Sequence, residues 1–482
     1  MKQDETETLA ACENFFSSLN EKNIRYCHWK SNLNLSKSMA GRTDLDVLIY
    51  SEDKDKFNSV LSKFNIKKIL SPPEKQFPGM EDYLGFDYDT GRLFHLHVHY
   101  RLILGQKYIK NHHLPIEELI FQNLTTENDI YIPCPELELI LLIIRGHMKI
   151  DLMSIIKHGI KDFVGHRYIP FPEDIENEFV TLIKKSNIEK LKIILLESGL
   201  PLSEKIFLSF IDKFSKKNLS ALDVLSANRQ IIKSLQEFRR QKNYLIYVKY
   251  LYFAMCGMPL INKFVKPNRK TIVGRGKIFS LVGADGSGKS TLVKELETWL
   301  SWKLSVNKYY YGIPKTYYIK LISEIIHIFS ILRINYAVTF LENFLWVYIA
   351  KKRYEVSLAL TKDAEQGKTM ITDRFPLKDF HKMDEPMDGP RILQSHSKIS
   401  SFFLNTEKSY YEKINLPDHI FVLQVRLSEL RNRKTDLDIE THTLKSDAVN
   451  AINENAYITI INANQSYVDV LLDIKRKIWK LL

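Results

Sequence analysis

Lys277-Ile-Phe-Ser-Leu-Val282, followed by Gly283-Ala-Asp-Gly-Ser-Gly-Lys-Ser290 and Thr291, decides how the C-terminal part of this chain folds. The first six residues form a short, mostly apolar run of the kind that fills a buried strand. The next eight match GxxxxGK[ST] in full, the pattern of a loop that wraps phosphate groups. Glycines let the backbone turn its amides inward, where side chains would obstruct. Lys289 then reaches the β- and γ-phosphates of ATP, and the Ser290 hydroxyl serves Mg2+. Gly283, Asp285, Gly286, Ser287, Gly288, Lys289, Ser290 and Thr291 are the expected ATP contacts. A helix over about 290–303 must follow, so that its N-terminal amides and dipole face the phosphates.

Working outward, further strands are expected at Thr369–Thr372, His419–Val425 and Tyr457–Ile461, with helical stretches between them. Strands alternating with helices predict an α/β fold, a parallel sheet covered on both faces. Phosphoryl transfer also needs charge stabilisation and an acceptor site. Thr372-Asp373-Arg374 ends a predicted strand, where the carboxylate can hold Mg2+ through water and the arginine can grip a phosphate. Arg353 lies on the preceding helix. Arg431-Asn-Arg433-Lys434 follows another strand and suits a basic segment that closes over the transferring group. A surface arginine is the plain alternative for each.

Upstream, Gly257, Pro259, Pro267, Gly274 and Gly276 are interspersed with five lysines and arginines, which marks a basic linker over 257–276. The expected organisation is an α+β domain over 1–115, a helical extension over 116–256, the linker, and the phosphate-loop domain over 277–482. A chain of 482 residues is long enough for two or three cores. The net charge of +12 suits anionic partners such as nucleotides or sugar phosphates. No recognition-helix pattern or aromatic–basic module supports nucleic acid. The four cysteines form no CxxC pair, which removes a disulfide framework and a cysteine zinc site, and a reducing cytoplasm fits. The acidic N-terminus lacks the apolar core of a secretory signal. No apolar run reaches 18 residues, so no transmembrane span is expected. The stretch 317–350 comes nearest, but Lys320, Glu324, Arg333 and Glu342 interrupt it. Ile319, Ile322, Ile326, Phe329 and Leu332 recur at helical spacing there, which predicts an amphipathic helix for core packing, a homo-oligomer face or a peripheral membrane contact.

Residues 277–482 resemble the thymidylate kinase family of nucleoside monophosphate kinases. The carrying residues are the loop variant with Asp285 at its third position and Asp373-Arg374-Phe375. Ala350-Lys-Lys-Arg353 resembles the family's acceptor-phosphate helix. The resemblance implies that Asp285 contacts an acceptor hydroxyl, that Arg353 and Arg374 bind the acceptor phosphate, and that Arg431 and Arg433 belong to a lid. Where the family carries a serine-rich segment, this chain reads His381-Lys-Met-Asp-Glu-Pro-Met-Asp-Gly-Pro-Arg391. That branch looks like the thymidylate-kinase-like proteins of bacterial surface-polysaccharide gene clusters, so thymidylate itself is not implied as acceptor.

Residues 23–110 resemble a nucleotidyltransferase-like fold, through His28-Trp-Lys30-Ser31 and Asp44-Leu-Asp46. Two carboxylates two apart on a strand project to one face and could share a metal ion. The usual glycine before Ser31 is Lys30, and His97-Val-His99 stands where the family has an aspartate. Three readings stay open: a nucleotidyltransferase using Asp44 and Asp46, a degenerate binding or packing domain, and a separate metal site built from His95, His97 and His99. For the whole chain, the readings are a kinase acting on a nucleotide or sugar acceptor, or a non-enzymatic nucleotide sensor or assembly factor.

Overall fold

The computed structural model describes residues 7–105, 109–150, 171–256, 269–377, 388–394, 397–433 and 439–482. The chain divides into two compact units, residues 1–268 and 269–482.

In the N-terminal unit, helix α1 (Ala10–Glu21) precedes strand β1 (Tyr26–His28) and strand β2 (Leu45–Ile49). Helix α2 (Lys54–Lys63), strand β3 (Lys67–Leu70), strand β4 (Met80–Phe86) and strand β5 (Leu93–His99) follow. The strands lie in the order β1-β2-β5-β4-β3. Only β2 and β5 run parallel; the other pairings are antiparallel. Every residue of β2 is buried, which its Leu-Asp-Val-Leu-Ile composition makes affordable only if Asp46 is paired. Phe15, Phe57, Val47 and Leu96 belong to the core that covers this sheet.

A helical layer completes the unit: α3 (Pro135–Lys149), α4 (Glu173–Lys185), α5 (Ile188–Glu197), α6 (Glu204–Ser215), α7 (Ala221–Ser234) and α8 (Asn243–Cys256). Proline opens α3, where its missing N–H costs nothing. That helix is buried nearly all round, and α4, α5 and α7 pack against it. The helical reading from about 115 onward misses a hairpin, Leu124–Glu127 with Ile130–Pro133. Its turn residues Asn128 and Asp129 both take positive φ, +50° and +61°, the geometry that matches strand twist in a two-residue loop.

The C-terminal unit holds strand β6 (Ile278–Gly283), helix α9 (Lys289–Ser301), strand β7 (Val306–Tyr310), helices α10 (Tyr317–Ile331) and α11 (Asn335–Glu365), and strand β8 (Thr369–Asp373). Helix α12 (Lys398–Glu412), strand β9 (His419–Gln424), helices α13 (Leu427–Arg433) and α14 (Ile439–Asn450), strand β10 (Ile458–Asn462) and helix α15 (Tyr467–Leu481) complete it. The sheet is parallel throughout, in the order β7-β8-β6-β9-β10. β6 and β9 carry near-continuous apolar runs and every residue of β6 and β8 is buried, as a sheet covered on both faces requires. Leu292, Leu296 and Leu300 of α9 and Val470, Ile474 and Ile478 of α15 recur every four residues and are buried. Helix α9 packs with α15, and α11 packs with α10 and α12.

The stretch 317–350 is two helices rather than one. Arg333 takes φ +56° between α10 and α11 and ends the first. No residue of α10 is buried, so its apolar side chains are not part of the unit's core. Among the described residues, no helix is long and apolar enough to cross a membrane.

Candidate functional site

The phosphate loop joins β6 to α9. Gly286 (φ +87°) and Gly288 (φ +88°) take the left-handed conformation, which any Cβ would strain. Gly288 is the N-cap of α9 and offers no side chain to cap it. The first-turn amides and the positive end of the helix dipole therefore remain available to an anion.

Strand order puts this loop at the crevice of the sheet. The chain leaves β6 for β7 on one side and leaves the neighbouring β8 for β9 on the other. Open α/β sheets bind ligands outside the carboxyl ends of their strands at such a reversal. Leu281 and Asp373 are register partners there, and the Arg374 N–H donates to the Leu281 carbonyl at 2.9 Å.

The expected residues meet at these two strand ends. Ser290 Oγ donates to Asp373 Oδ2 at 2.6 Å. Asp373 Oδ1 is buried with no hydrogen-bond partner among the described residues. A loop hydroxyl beside a carboxylate with one oxygen unused is a set of hard oxygen donors, which fits Mg2+. Lys289 is buried, and its Nζ donates to the Ala284 carbonyl at 2.7 Å and to Ser287 Oγ at 3.4 Å. Burial, and then the Arg374 charge, pull its pKa down to about 8. An anionic phosphate would reverse that bias.

Beside the loop lies a charge network that the motifs only partly foretell. Arg374 Nη2 donates to Asp285 Oδ1 at 2.8 Å, and its Nη1 lies 3.5 Å from Asp388 Oδ2. Lys445 Nζ, from α14, donates to Asp285 Oδ2 at 2.8 Å. Burial works to raise the Asp285 pKa, but Lys445 and Arg374 prevail and hold it below the usual carboxylate range. Burial raises the pKa of Asp388 against the pull of Arg353 and Arg374. Arg374 itself takes φ +75°, a conformation uncommon outside glycine. Backbone strain of this kind collects at functional sites.

Arg353 differs from its sequence expectation. It is only 3% exposed, and its donors reach the Tyr311 carbonyl at 2.7 Å, the Tyr411 hydroxyl, and both the carbonyl and carboxylate of Asp388. Its guanidinium is occupied by protein groups rather than presented to a phosphate. Glu407 accepts from the backbone amides of Arg391 and Ile392, each at 3.0 Å, and so holds the far end of the same segment. The Met-Asp-Gly-Pro-Arg stretch thus supplies the carboxylate that couples Arg353 to Arg374.

Lys445 and Asp388 are the residues that sequence reasoning did not single out. Asp388 lay within a segment that departs from the resembled family. Lys445 lies on a helix with no motif around it. Arg431 and Arg433 fall on α13, and their side chains lie outside the described residues, as do residues 381–387.

No protein-family model matches this chain, and no curated protein matches it. Among solved structures, the chain is similar to the deoxyadenosine kinase of M. mycoides with bound dATP. That match has 14% identity and a TM-score of 0.29, and spans 42% of this chain and 98% of the kinase. The site stands on its own geometry.

The N-terminal unit holds a second cluster. Asp46 on β2 and His97 on β5 are register partners, and His97 Nδ1 lies 3.0 Å from Asp46 Oδ1. Lys30 Nζ lies 2.8 Å from the same oxygen. Burial raises the Asp46 pKa, but Lys30 and then the histidines outweigh it and hold the carboxyl well below its usual range. Burial draws His97 down to about 4 and holds His99 well below its ordinary value. Asp44 takes a different partner. It lies 2.9 Å from His95 Nδ1, while His95 Nε2 lies 3.1 Å from Asp82. The two carboxylates expected to share one ion therefore serve different histidines. The three histidines do not form one group, because His95 is engaged between Asp44 and Asp82.

Proposed function

We propose that the C-terminal unit is an ATP-dependent phosphotransferase of the nucleoside monophosphate kinase type, acting on a nucleotide or a related phosphorylated or sugar acceptor. One observation carries this reading: the loop serine is bonded to the strand-end carboxylate Asp373, and the Asp285–Arg374 pair stands directly beside them.

In this reading the loop amides and Lys289 hold the β- and γ-phosphates, and Ser290 and Asp373 hold Mg2+. When bound, that ion neutralises charge on the β- and γ-oxygens. An acceptor oxygen attacks the γ-phosphorus while the bond from phosphorus to the β-bridging oxygen breaks, and ADP leaves. Asp285 accepts a hydrogen bond from an acceptor hydroxyl. Arg374 faces the acceptor phosphate or the developing charge, and Arg353 sets its position through Asp388. Arg431 and Arg433 belong to the lid. Among the described residues, Lys289, Arg353, Arg374 and Lys445 are gathered here with Asp285, Asp373 and Asp388, and cationic groups beside the loop favour an anionic substrate.

The test is transfer from γ-labelled ATP to a panel of nucleoside monophosphates and sugar phosphates, with Lys289→Ala alongside. Label in one acceptor, lost in the variant, supports the kinase. Tight ATP binding with no label in any acceptor favours a sensor or assembly factor instead, including one serving surface-polysaccharide production.

A further inference from the structure

The N-terminal cluster has a feature that packing leaves unexplained. His99 is fully buried, and neither of its ring nitrogens has a hydrogen-bond partner among the described residues. Trp29 packs edge-on against the ring at 5.1 Å, so no water-filled space compensates on that side. Buried polar groups are normally satisfied, and an orphan of this kind asks for a partner. Its Nε2 points toward Asp46, 3.8 Å from Oδ1, too far for a hydrogen bond but a normal separation for two atoms bound to one ion.

The fold makes this convergence rigid. His97 and His99 are two apart on β5, so they share a face of the sheet. The parallel pairing of β2 with β5 puts Asp46 level with His97. One nitrogen from each histidine and one oxygen from Asp46 lie within 4.8 Å of one another. All three side chains stand on adjacent, paired strands of one sheet, so little backbone freedom remains to be lost when they close on an ion.

We propose that Asp46, His97 and His99 form a binding site for a divalent first-row transition metal ion. Two imidazoles and one carboxylate suit zinc, iron, cobalt or nickel, whereas Mg2+ prefers oxygen ligands throughout. The site therefore differs in metal class from a carboxylate pair of Asp44 and Asp46. Three protein ligands leave at least one coordination position open to water or to a substrate oxygen. Lys30 supplies the built-in competitor: its ammonium, 2.8 Å from Asp46 Oδ1, stands where it neutralises the same oxygen that a metal would use.

The test uses the full chain without an affinity tag, stripped with chelator and free of nucleotide. Titration of the folded wild-type protein with Co2+ is read by visible absorption, and Zn2+ binding by calorimetry with Mg2+ as the control. The expected results are one Co2+ per chain with ligand-field bands, Zn2+ binding at the same stoichiometry, and no comparable Mg2+ affinity. His97→Ala and His99→Ala should each weaken Zn2+ binding by about 10–100-fold, with circular dichroism confirming that each variant is folded. Lys30→Ala should tighten it. Absence of the Co2+ bands in folded wild-type protein overturns the proposal without any variant. So does Zn2+ affinity unchanged in His97→Ala, or unchanged or weakened in Lys30→Ala.

Discussion

Two strand-borne carboxylates, Asp373 in the C-terminal unit and Asp46 in the N-terminal unit, sit in opposite settings. Asp373 ends a strand of a parallel sheet and takes a hydroxyl from the adjacent loop, Ser290, at 2.6 Å. Asp46 lies inside a strand, on the face of a mixed sheet, with Lys30 and His97 at 2.8 and 3.0 Å. The first setting belongs to a crevice, where loops can part and admit a ligand. In the second, side chains of the same sheet close round the carboxylate, with Lys30, His97 and His99 within 3.8 Å of Asp46 Oδ1. Similar residues thus acquire different chemistry from where a strand ends.

The largest effect is expected for Arg353→Ala, which leaves Asp388 buried with a weakened counter-charge. Loss of one partner of a buried pair costs about 3–5 kcal/mol, so denaturant unfolding of the C-terminal unit should shift by that much. An unchanged midpoint would show that the network behind the crevice is not structural. Lys289→Ala should leave the fold intact and lower turnover by about 10²–10³-fold, equivalent to about 3–4 kcal/mol of lost charge stabilisation. Near-wild-type turnover would remove the distinction between an open catalytic crevice and a closed cluster.

A pH experiment probes the closed side. His147, in the last turn of α3, is fully buried and donates from Nδ1 to the Ile143 carbonyl at 2.8 Å. Phe171 and Phe210 pack against the ring, and burial lowers its pKa to about 4. The unfolded chain takes up a proton near pH 6.5 and the folded chain only near 4. The stability this histidine confers is therefore complete above pH 6.5 and is lost as pH falls towards 4. His147→Gln should flatten that acid limb by on the order of 2–3 kcal/mol, read as the difference between wild-type and variant unfolding free energies at pH 7 and pH 4. Parallel curves for the two proteins would show that the imidazole protonates freely in the folded state.

The smallest effect is expected at the mouth of the crevice. Lys445 is partly exposed, so its pairing with Asp285 is screened by solvent. Lys445→Ala should cost about 1 kcal/mol or less in stability. It should raise the acceptor KM by no more than about fivefold, since 1.4 kcal/mol is tenfold. A large fall in kcat with KM unchanged would instead make Lys445 a participant in the chemistry.

How much could be read beforehand follows from how local each feature is. The phosphate loop is eight consecutive residues whose geometry is set by their own backbone, and the strand before it and helix after it fall within two residues of expectation. Four strands of the parallel sheet were legible, β6 and β9 most plainly as short apolar runs, whereas the edge strand β7, Val-Asn-Lys-Tyr-Tyr, has no such run and was not expected. The hairpin at 124–133 was not, because apolar positions on short strands and on helices look alike over four residues. Arg353 was recognised by its place before Asp373-Arg374, but its partners are Tyr311, Asp388 and Tyr411, 42, 35 and 58 residues away. Nothing in the spacing tells a guanidinium whether its partner will be a phosphate or a buried aspartate.

In the N-terminal unit the alternation of His95, His97 and His99 placed them on one face, since an extended chain permits nothing else. Which carboxylate each meets was decided by strand pairing and by rotamer. Asp44 went to His95, while Asp46 lies level with His97 and within 3.8 Å of His99. The sequence by itself determined the phosphate loop, the central strands of the sheet around it and the single face of histidines, because each depends on backbone geometry over a few residues. Only the tertiary structure decided that Asp388 joins Arg353 to Arg374, that Lys445 reaches Asp285, and that Asp46 faces an unsatisfied His99. Those are Coulombic and hydrogen-bonding pairings between distant segments, and their energy depends on separations of a few ångströms that no linear spacing encodes.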